Sequence, residues 1–401
     1  LVAGGRKERY TNLPMNPAAI LISDTAALAA FCDRQSTAEF VTVDTEFMRE
    51  TTFWAKLCLI QVAGPDEAMC IDPLAPGIDL APLYKLFADE KVLKVFHAAR
   101  QDLEIFLHEG GALPRPVFDT QVAAMVCGFG DQVGYETLVA KLADAKLDKS
   151  QRFTDWSRRP LTDRQIKYAL SDVTHLRKAY TSLQKRLEKT GRAAWLNEEM
   201  TVLTTEKTYR IEPREAWQRI KARTRSGRML AVLRELAAWR EEAARSLDWP
   251  RQRVAKDDAL LELAAHPPSS AEDLKRSRLA KQLASERFAS AVVSAAQRGL
   301  AVPEADWPDV PDFDPANQGP RAVTELLRLL LKIKCEHNNV APRLIASSED
   351  IDAIAMKDDA DVPAMHGWRR ELFGEDALKL KHGKLAVALA DNGRKIEIFP
   401  R

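Results

Sequence analysis

Asp44 and Glu46 stand two residues apart in Val41-Thr42-Val43-Asp44-Thr45-Glu46-Phe47, an apolar and β-branched run. Positions i and i+2 of a strand face the same side, so the two carboxylates can converge on one point. Asp102 follows in His97-Ala98-Ala99-Arg100-Gln101-Asp102. Tyr168 precedes Asp172 by one helical turn, which sets a phenol and a carboxylate on one helix face. Carboxylate oxygens suit hard divalent cations, and this set is what two such cations and an attacking water require for phosphodiester cleavage. In that scheme Asp44 bridges both ions and Glu46 and Asp172 complete the first site. Asp102 serves the second, directly or through water. Tyr168, with an ordinary pKa near ~10, is a poor base at neutral pH and is expected to hydrogen-bond the water and aim it at phosphorus.

Each piece alone is ordinary. An isolated Asp-x-Glu is common, a Tyr-x3-Asp on a charged helix is usually a solvated face, and acids are favoured in a first helical turn whatever their task. The fixed order of all three is far less ordinary. The elements that must position them are also readable. Strands are expected at Phe40 to Phe47, Leu57 to Ala63, Met69 to Asp72 and Val92 to Phe96. Helical spacing is expected at Asp79 to Asp89, Gln101 to His108, Thr120 to Cys127, Glu136 to Leu142 and Thr162 to Glu188. Strands followed by helices that close over one face predict an α/β domain ending near residue 207.

From Glu212 onward strand signals vanish until the last few residues, and Ala, Leu, Arg and Glu dominate. The prolines of residues 298–320 mark a linker between two helical modules, 211–297 and 321–401. Pro250-Arg251 sits eight residues before Asp258, as Pro342-Arg343 does before Asp350, which suggests a repeated module.

At the acidic motifs the chain resembles the DEDDy 3′–5′ exonucleases, most closely the ribonuclease D family. Asp44 and Glu46 match the first motif, His97 and Asp102 the second, Tyr168 and Asp172 the third. Phe53-Trp54, Leu59-Ile60-Gln61, Phe118-Asp119-Thr120-Gln121, Leu147-Asp148-Lys149-Ser150, Asp155-Trp156 and Arg159-Pro160-Leu161 extend the resemblance across residues 18–190. It implies a ribonuclease-H-like mixed sheet flanked by helices in a domain spanning 15–207, two divalent cations (Mg²⁺ or Mn²⁺), and stepwise release of 5′-mononucleotides from an RNA 3′ end. The expected substrates are tRNA precursors and other small structured RNAs. The remainder resembles two all-α HRDC modules, the second more degenerate than the first.

Secondary candidates carry competing readings. Phe47 and Met48 follow the first ligands and could pack on the terminal base, with core packing the alternative for Phe47. His97 could touch substrate or serve the local fold. Lys149, Arg152, Arg158 and Arg159 approach the third motif and could contact phosphates, although charge runs are usually solvated. Trp156 could stack on RNA or anchor the fold. The runs Arg219 to Arg225 and Lys275 to Arg278 are candidate RNA tracks.

Composition narrows the class. The net charge of +1 makes no bulk case for a polyanion, so nucleic-acid affinity must come from local basic faces. Five cysteines without a Cys-x-x-Cys pair argue against a disulfide framework or a zinc site. The same cysteine pattern makes the cytoplasm the expected compartment. No apolar stretch approaches the ~18 residues of a membrane span, so no membrane association is expected, and no obligate protein partner is evident. Residues 1–14 are expected to be a leader ahead of Met15. An exonuclease acting on DNA shares the same site chemistry, and an inactive nucleic-acid-binding scaffold is the alternative of another class.

Overall fold

The computed structural model describes residues 20–148, 150–310, 320–391 and 395–401. The expected leader, Lys149 and residues 311–319 of the expected linker lie outside the described residues. The chain forms two compact units. One takes the described residues up to Glu46, Leu59–Thr204 and the C-terminal segment from residue 320; the other takes Phe47–Cys58 and residues 205–310.

In the first unit, alternation and β-branching give a six-stranded sheet. Its strands are β1 (Leu21–Ile22), β2 (Phe40–Met48), β3 (Lys56–Ala63), β4 (Ala68–Ile71), β5 (Leu93–Phe96) and β6 (Val117–Asp119), in the order β1-β4-β3-β2-β5-β6. β1–β4, β2–β5 and β5–β6 are parallel, whereas β3–β4 is antiparallel, so the sheet is mixed as expected. Val41 and Val43 are fully buried on β2, which the order places near the middle of the sheet. Around it lie α1 (Thr25–Gln35), α2 (Ala81–Ala88), α3 (Arg100–Gly110), α4 (Thr120–Val126), α5 (Tyr135–Leu142), α6 (Asp163–Thr190) and α7 (Ala193–Leu203).

One device starts α6 and two tie it to the sheet. Its start is a capping box: Thr162 Oγ1 accepts from the Gln165 amide at 3.3 Å, and the Gln165 side chain accepts from the Thr162 amide at 3.0 Å. Four turns on, the buried Arg177 donates to the carbonyls of Phe40 and Ala63 at 3.3 and 3.1 Å, with its guanidinium 4.1 Å from the Phe40 ring centre. Thr42 on β2 donates to the carbonyl of Val173 at 2.8 Å, which sets the Asp172 turn of α6 beside β2.

The second unit is helical. It contains α8 (Gly227–Leu247), α9 (Arg251–Val254), α10 (Asp257–Ala265), α11 (Ala271–Arg276) and α12 (Ala289–Leu300) around Leu230, Leu233, Leu236, Leu260, Leu263 and Val292. The linker expected from residue 298 therefore begins inside the last turn of α12. Asp248 ends α8 in the left-handed region (φ 49°), and its carboxylate accepts from the amides of Phe53 and Trp54, both at 3.0 Å. The buried Glu241 pairs with Arg251 and Arg245, and these guanidinium groups hold its carboxyl below the usual range despite burial.

The C-terminal segment of the first unit has α13 (Arg321–Asn338), α14 (Ser348–Met356), α15 (Gly367–Arg369) and α16 (Glu375–Lys381), then an antiparallel hairpin of β7 (Leu385–Ala390) and β8 (Lys395–Pro400). The expectation of an all-α module over 321–401 is thus corrected at its end. Alternating Leu385, Val387 and Leu389 favour a strand once a facing strand exists. Nor does this segment have a core of its own. Leu327, Leu330, Leu331, Leu344 and Ile345 share one apolar cluster with Met125, Val126, Leu183, Leu187 and Leu196. The Trp195 and Trp368 rings stack 4.2 Å apart at 8°, and Arg369 pairs with Glu198 and Glu199.

Candidate active site

β2 presents Asp44 and Glu46 at i and i+2, and α6 brings Asp172 to them. Ligand oxygens of the three carboxylates all lie within 4.8 Å of one another. Such proximity is costly among like charges, and burial adds to it. Burial first, and the nearby Asp172 second, push Asp44 well above the usual carboxylate range. Burial and the other three acids push Glu46 up to about 10. Burial pushes Asp172 up to about 7, with the hydroxyl of Tyr168 pulling the other way. Burial also raises the Tyr168 phenol, helped by Asp172, Glu46 and Asp44, so it is a still weaker base than a free tyrosine.

Asp102 lies in the first turn of α3, buried, and accepts a hydrogen bond from the Thr45 hydroxyl at 2.5 Å. It is outside the 4.8 Å group but close enough for the Asp44 charge to add to the upward push of burial. Its helix is aimed by Asp119, whose carboxylate accepts from the amides of Ala98, Ala99 and Gln121 at 3.0, 2.8 and 2.7 Å. One side chain therefore holds the turn into α3 and caps α4. Ala98 takes φ 58°, a left-handed conformation that these two amide bonds stabilise.

A cavity of about 290 Å³ opens on Asp44, Tyr168 and Asp172, with His97, Tyr135 and Arg152 among its walls. His97 Nδ1 lies 3.0 Å from Thr120 Oγ1, and burial holds its pKa below the ordinary value. Tyr135 went unnoticed in the sequence. It begins α5, its hydroxyl donates to the Asp172 carbonyl, and its ring lies 5.4 Å from that of His97. Its only sequence signal is a Gly-Tyr-Glu helix start.

The remaining candidates fall elsewhere. Trp156 is buried, its ring 6.0 Å from that of Tyr168, so it backs the phenol. Arg159 is engaged through both arms with Asp72, at 2.7 and 2.6 Å, and bonds the carbonyl of Trp156, which fixes the approach to α6. Phe47 and Met48 end β2 half-buried, grouped with the second unit, and do not line the cavity. Arg158 pairs with Asp155, whereas Arg152 does reach the cavity wall, beside an exposed Phe153 ring 5.4 Å away.

A family profile described as "3'-5' exonuclease" matches residues 19–188, and one described as "HRDC domain" matches residues 229–295. Ribonuclease D of Jannaschia sp. is 54% identical over 383 residues, 94% of this chain and 98% of its own. The chain belongs to the ribonuclease D family. Ribonuclease D of Granulibacter bethesdensis is 49% identical, covering 96% of this chain and 97% of its own. Among solved structures, Escherichia coli RNase D, described as an exoribonuclease involved in structured RNA processing, superposes with a TM-score of 0.76. It is 30% identical, over 90% of this chain and 98% of that one. As a member of this family the chain is a 3′–5′ exoribonuclease, a phosphodiester hydrolase whose exonuclease domain is followed by an HRDC domain. Among the described residues no helix is long and apolar enough to cross a membrane.

Proposed function

We propose that the chain trims the 3′ ends of tRNA precursors and other small structured RNAs in the cytoplasm, releasing 5′-mononucleotides by hydrolysis at the β2–α6 carboxylates. The observation that carries this reading is the meeting of Asp44, Glu46 and Asp172 within 4.8 Å beside the Tyr168 hydroxyl. An all-oxygen set held this close and this far above its usual pKa range fits two hard cations, Mg²⁺ or Mn²⁺, better than any uncharged occupant. Asp44 would bridge them, Glu46 and Asp172 hold the first, and Asp102 the second, directly or through water. Ions bound there supply an acidified water and stabilise the departing oxygen.

The protein's own groups do the rest. Tyr168 orients the attacking water rather than deprotonating it, consistent with a phenol raised above its ordinary pKa. Arg152 on the cavity wall offers charge to the phosphate behind the scissile one, and the Phe153 ring beside it is 92% exposed. His97 supports the wall through Thr120. Lys149 remains a candidate phosphate contact by its sequence position alone.

The second helical module reads as a degenerate copy of the first. α8 ends at the left-handed Asp248 and α13 at the left-handed Asn339. In each case a proline-initiated turn follows, then a helix of nine residues, Asp257–Ala265 or Ser348–Met356. Lys221, Arg223 and Arg225, exposed ahead of α8, are the first module's candidate RNA track.

The test is a 5′-labelled tRNA precursor and a DNA of the same sequence, each incubated with Mg²⁺ and with Mn²⁺. One-nucleotide shortening of the RNA, stopping near the mature 3′ end, is the expected result. Equal trimming of DNA would mean that the site does not discriminate the sugar and would overturn the RNA-specific reading, and internal cuts would end the exonuclease reading.

A further inference from the structure

A second cavity, of about 730 Å³, lies within the first unit where the end of α6 meets the α4–α5 connection and the end of α13. Its walls include Phe129, Arg186, Lys189 and Arg192, and among the described residues no carboxylate lines it. Close approach makes it. Gly128 has φ 79°, and a Cβ there would sit 2.6 Å from the Asn339 carbonyl oxygen, so only glycine lets the ends of α4 and α13 meet.

Its charge is arranged rather than incidental. Helix C-termini are electronegative and would oppose an anion. Arg192 answers them, donating to the carbonyls of Val126 and Asn339 at 3.1 and 3.2 Å. That leaves Arg186 and Lys189, both exposed, with no carboxylate within ion-pair distance among the described residues. Arg186 is held with its guanidinium 4.9 Å from the Phe129 ring centre, and Lys141 approaches the same ring at 5.8 Å. A cation–π contact fixes a guanidinium without neutralising it, so its donors stay available for a phosphate. On other helices Lys275 pairs with Glu272 and Arg328 with Glu325, a neutralisation that Arg186 and Lys189 lack.

We propose that this cavity grips the phosphodiester backbone of the RNA substrate upstream of the 3′ end, a reading that rests on RNA being the substrate. Arg186 follows Asp172 by fourteen positions on the same helix, a distance of about 21 Å at ~1.5 Å per residue. At the ~3.4 Å rise of a stacked strand that is about six nucleotides. An RNA of three nucleotides can fill the acidic site and not reach the cavity, whereas one of sixteen can occupy both.

The experiment uses the full chain carrying Arg186→Gln with Lys189→Gln, both surface changes. Affinity for a 16-nucleotide RNA is measured without hydrolysis, in an Asp44→Asn background, as a function of salt. The affinity is expected to fall about tenfold and the log–log salt slope to drop by roughly 1.4, the value for two phosphate contacts on a single strand. In the Asp44-intact protein, kcat/KM on a three-nucleotide RNA is expected to stay unchanged. Unaltered affinity and slope would overturn the proposal. So would an equal loss on the three-nucleotide RNA, or the same loss from Lys85→Gln on α2, which would reduce the effect to net charge. Absence of hydrolysis by the wild type on either RNA would refute the activity reading instead, while the binding slopes would still decide this one.

Discussion

At the scale of single residues, the site combines carboxylates that repel with a phenol that cannot act as a base at neutral pH. Tyr168→Phe removes the hydroxyl while keeping the ring that lies against Trp156. The expected loss is about 2–4 kcal/mol of transition-state stabilisation, roughly 30- to 1000-fold in single-turnover rate, with RNA affinity retained. An unchanged rate would leave Tyr168 a purely structural role. The acids also set a pH dependence. Asp172, at about 7, and Glu46, at about 10, bind protons more tightly folded than unfolded. Their contribution is therefore fully favourable below the unfolded values near ~4 and is lost as pH rises, for Asp172 up to about 7 and for Glu46 up to about 10. Metal-free protein is expected to melt at lower temperature at pH 8 than at pH 5, all else equal. Mn²⁺ or Mg²⁺ should raise the midpoint more at pH 8, with protons released on binding. Calorimetric titration in two buffers of different ionisation enthalpy measures that release, and its absence would mean these acids bind no cation.

At the scale of elements, the acids owe their meeting to how β2, α3 and α6 are mounted. Period-two and one-turn spacings made the Asp44–Glu46 and Tyr168–Asp172 pairings legible, because each partner is local in sequence. The mounts were not legible. Arg177 bonds carbonyls 137 and 114 positions away, and nothing in a charged helix marks which arginine turns inward. Asp119 was visible as part of a family motif, but its hold on the Ala98–Ala99 turn was not. β1 and β6, of two and three residues, are too short to show a period. Arg177→Met keeps the length and removes the donors, leaving the Phe40 and Ala63 carbonyls short of a partner. It is expected to cost about 2–3 kcal/mol in denaturant unfolding. A cost within 0.5 kcal/mol, about the scatter of surface substitutions, would mean α6 is held by packing alone.

At the scale of the molecule, reading the chain as beads on a string fails at one place. The composition change near residue 207 suggests that everything before it could stand alone. The first unit instead draws on residues from 320 onward, through Leu327, Leu330 and Ile345 packed on Met125 and Leu187. Such contacts span more than a hundred positions and leave no local pattern. Removal of all residues after 207 is therefore expected to expose apolar surface and to yield an unstable or aggregating protein, not a soluble core. Trp368→Ala, which removes the ring stacked on Trp195, is a gentler probe, expected to cost about 3 kcal/mol. A truncated protein melting cooperatively near the full-length midpoint would contradict this shared core.

Asp44, Glu46 and Asp172 are proposed as the metal-dependent hydrolytic site of this 3′–5′ exoribonuclease. The most direct test of that assignment is single-turnover release of the 3′-terminal nucleotide from a 5′-labelled RNA, comparing wild type with Asp44→Asn at saturating Mn²⁺. One-nucleotide steps are expected for the wild type, no steps without added metal, and a loss of at least about 10³-fold for a fully folded Asp44→Asn, equal to ~4 kcal/mol. Near-wild-type release by that variant, or release unaffected by a chelator, would contradict the assignment.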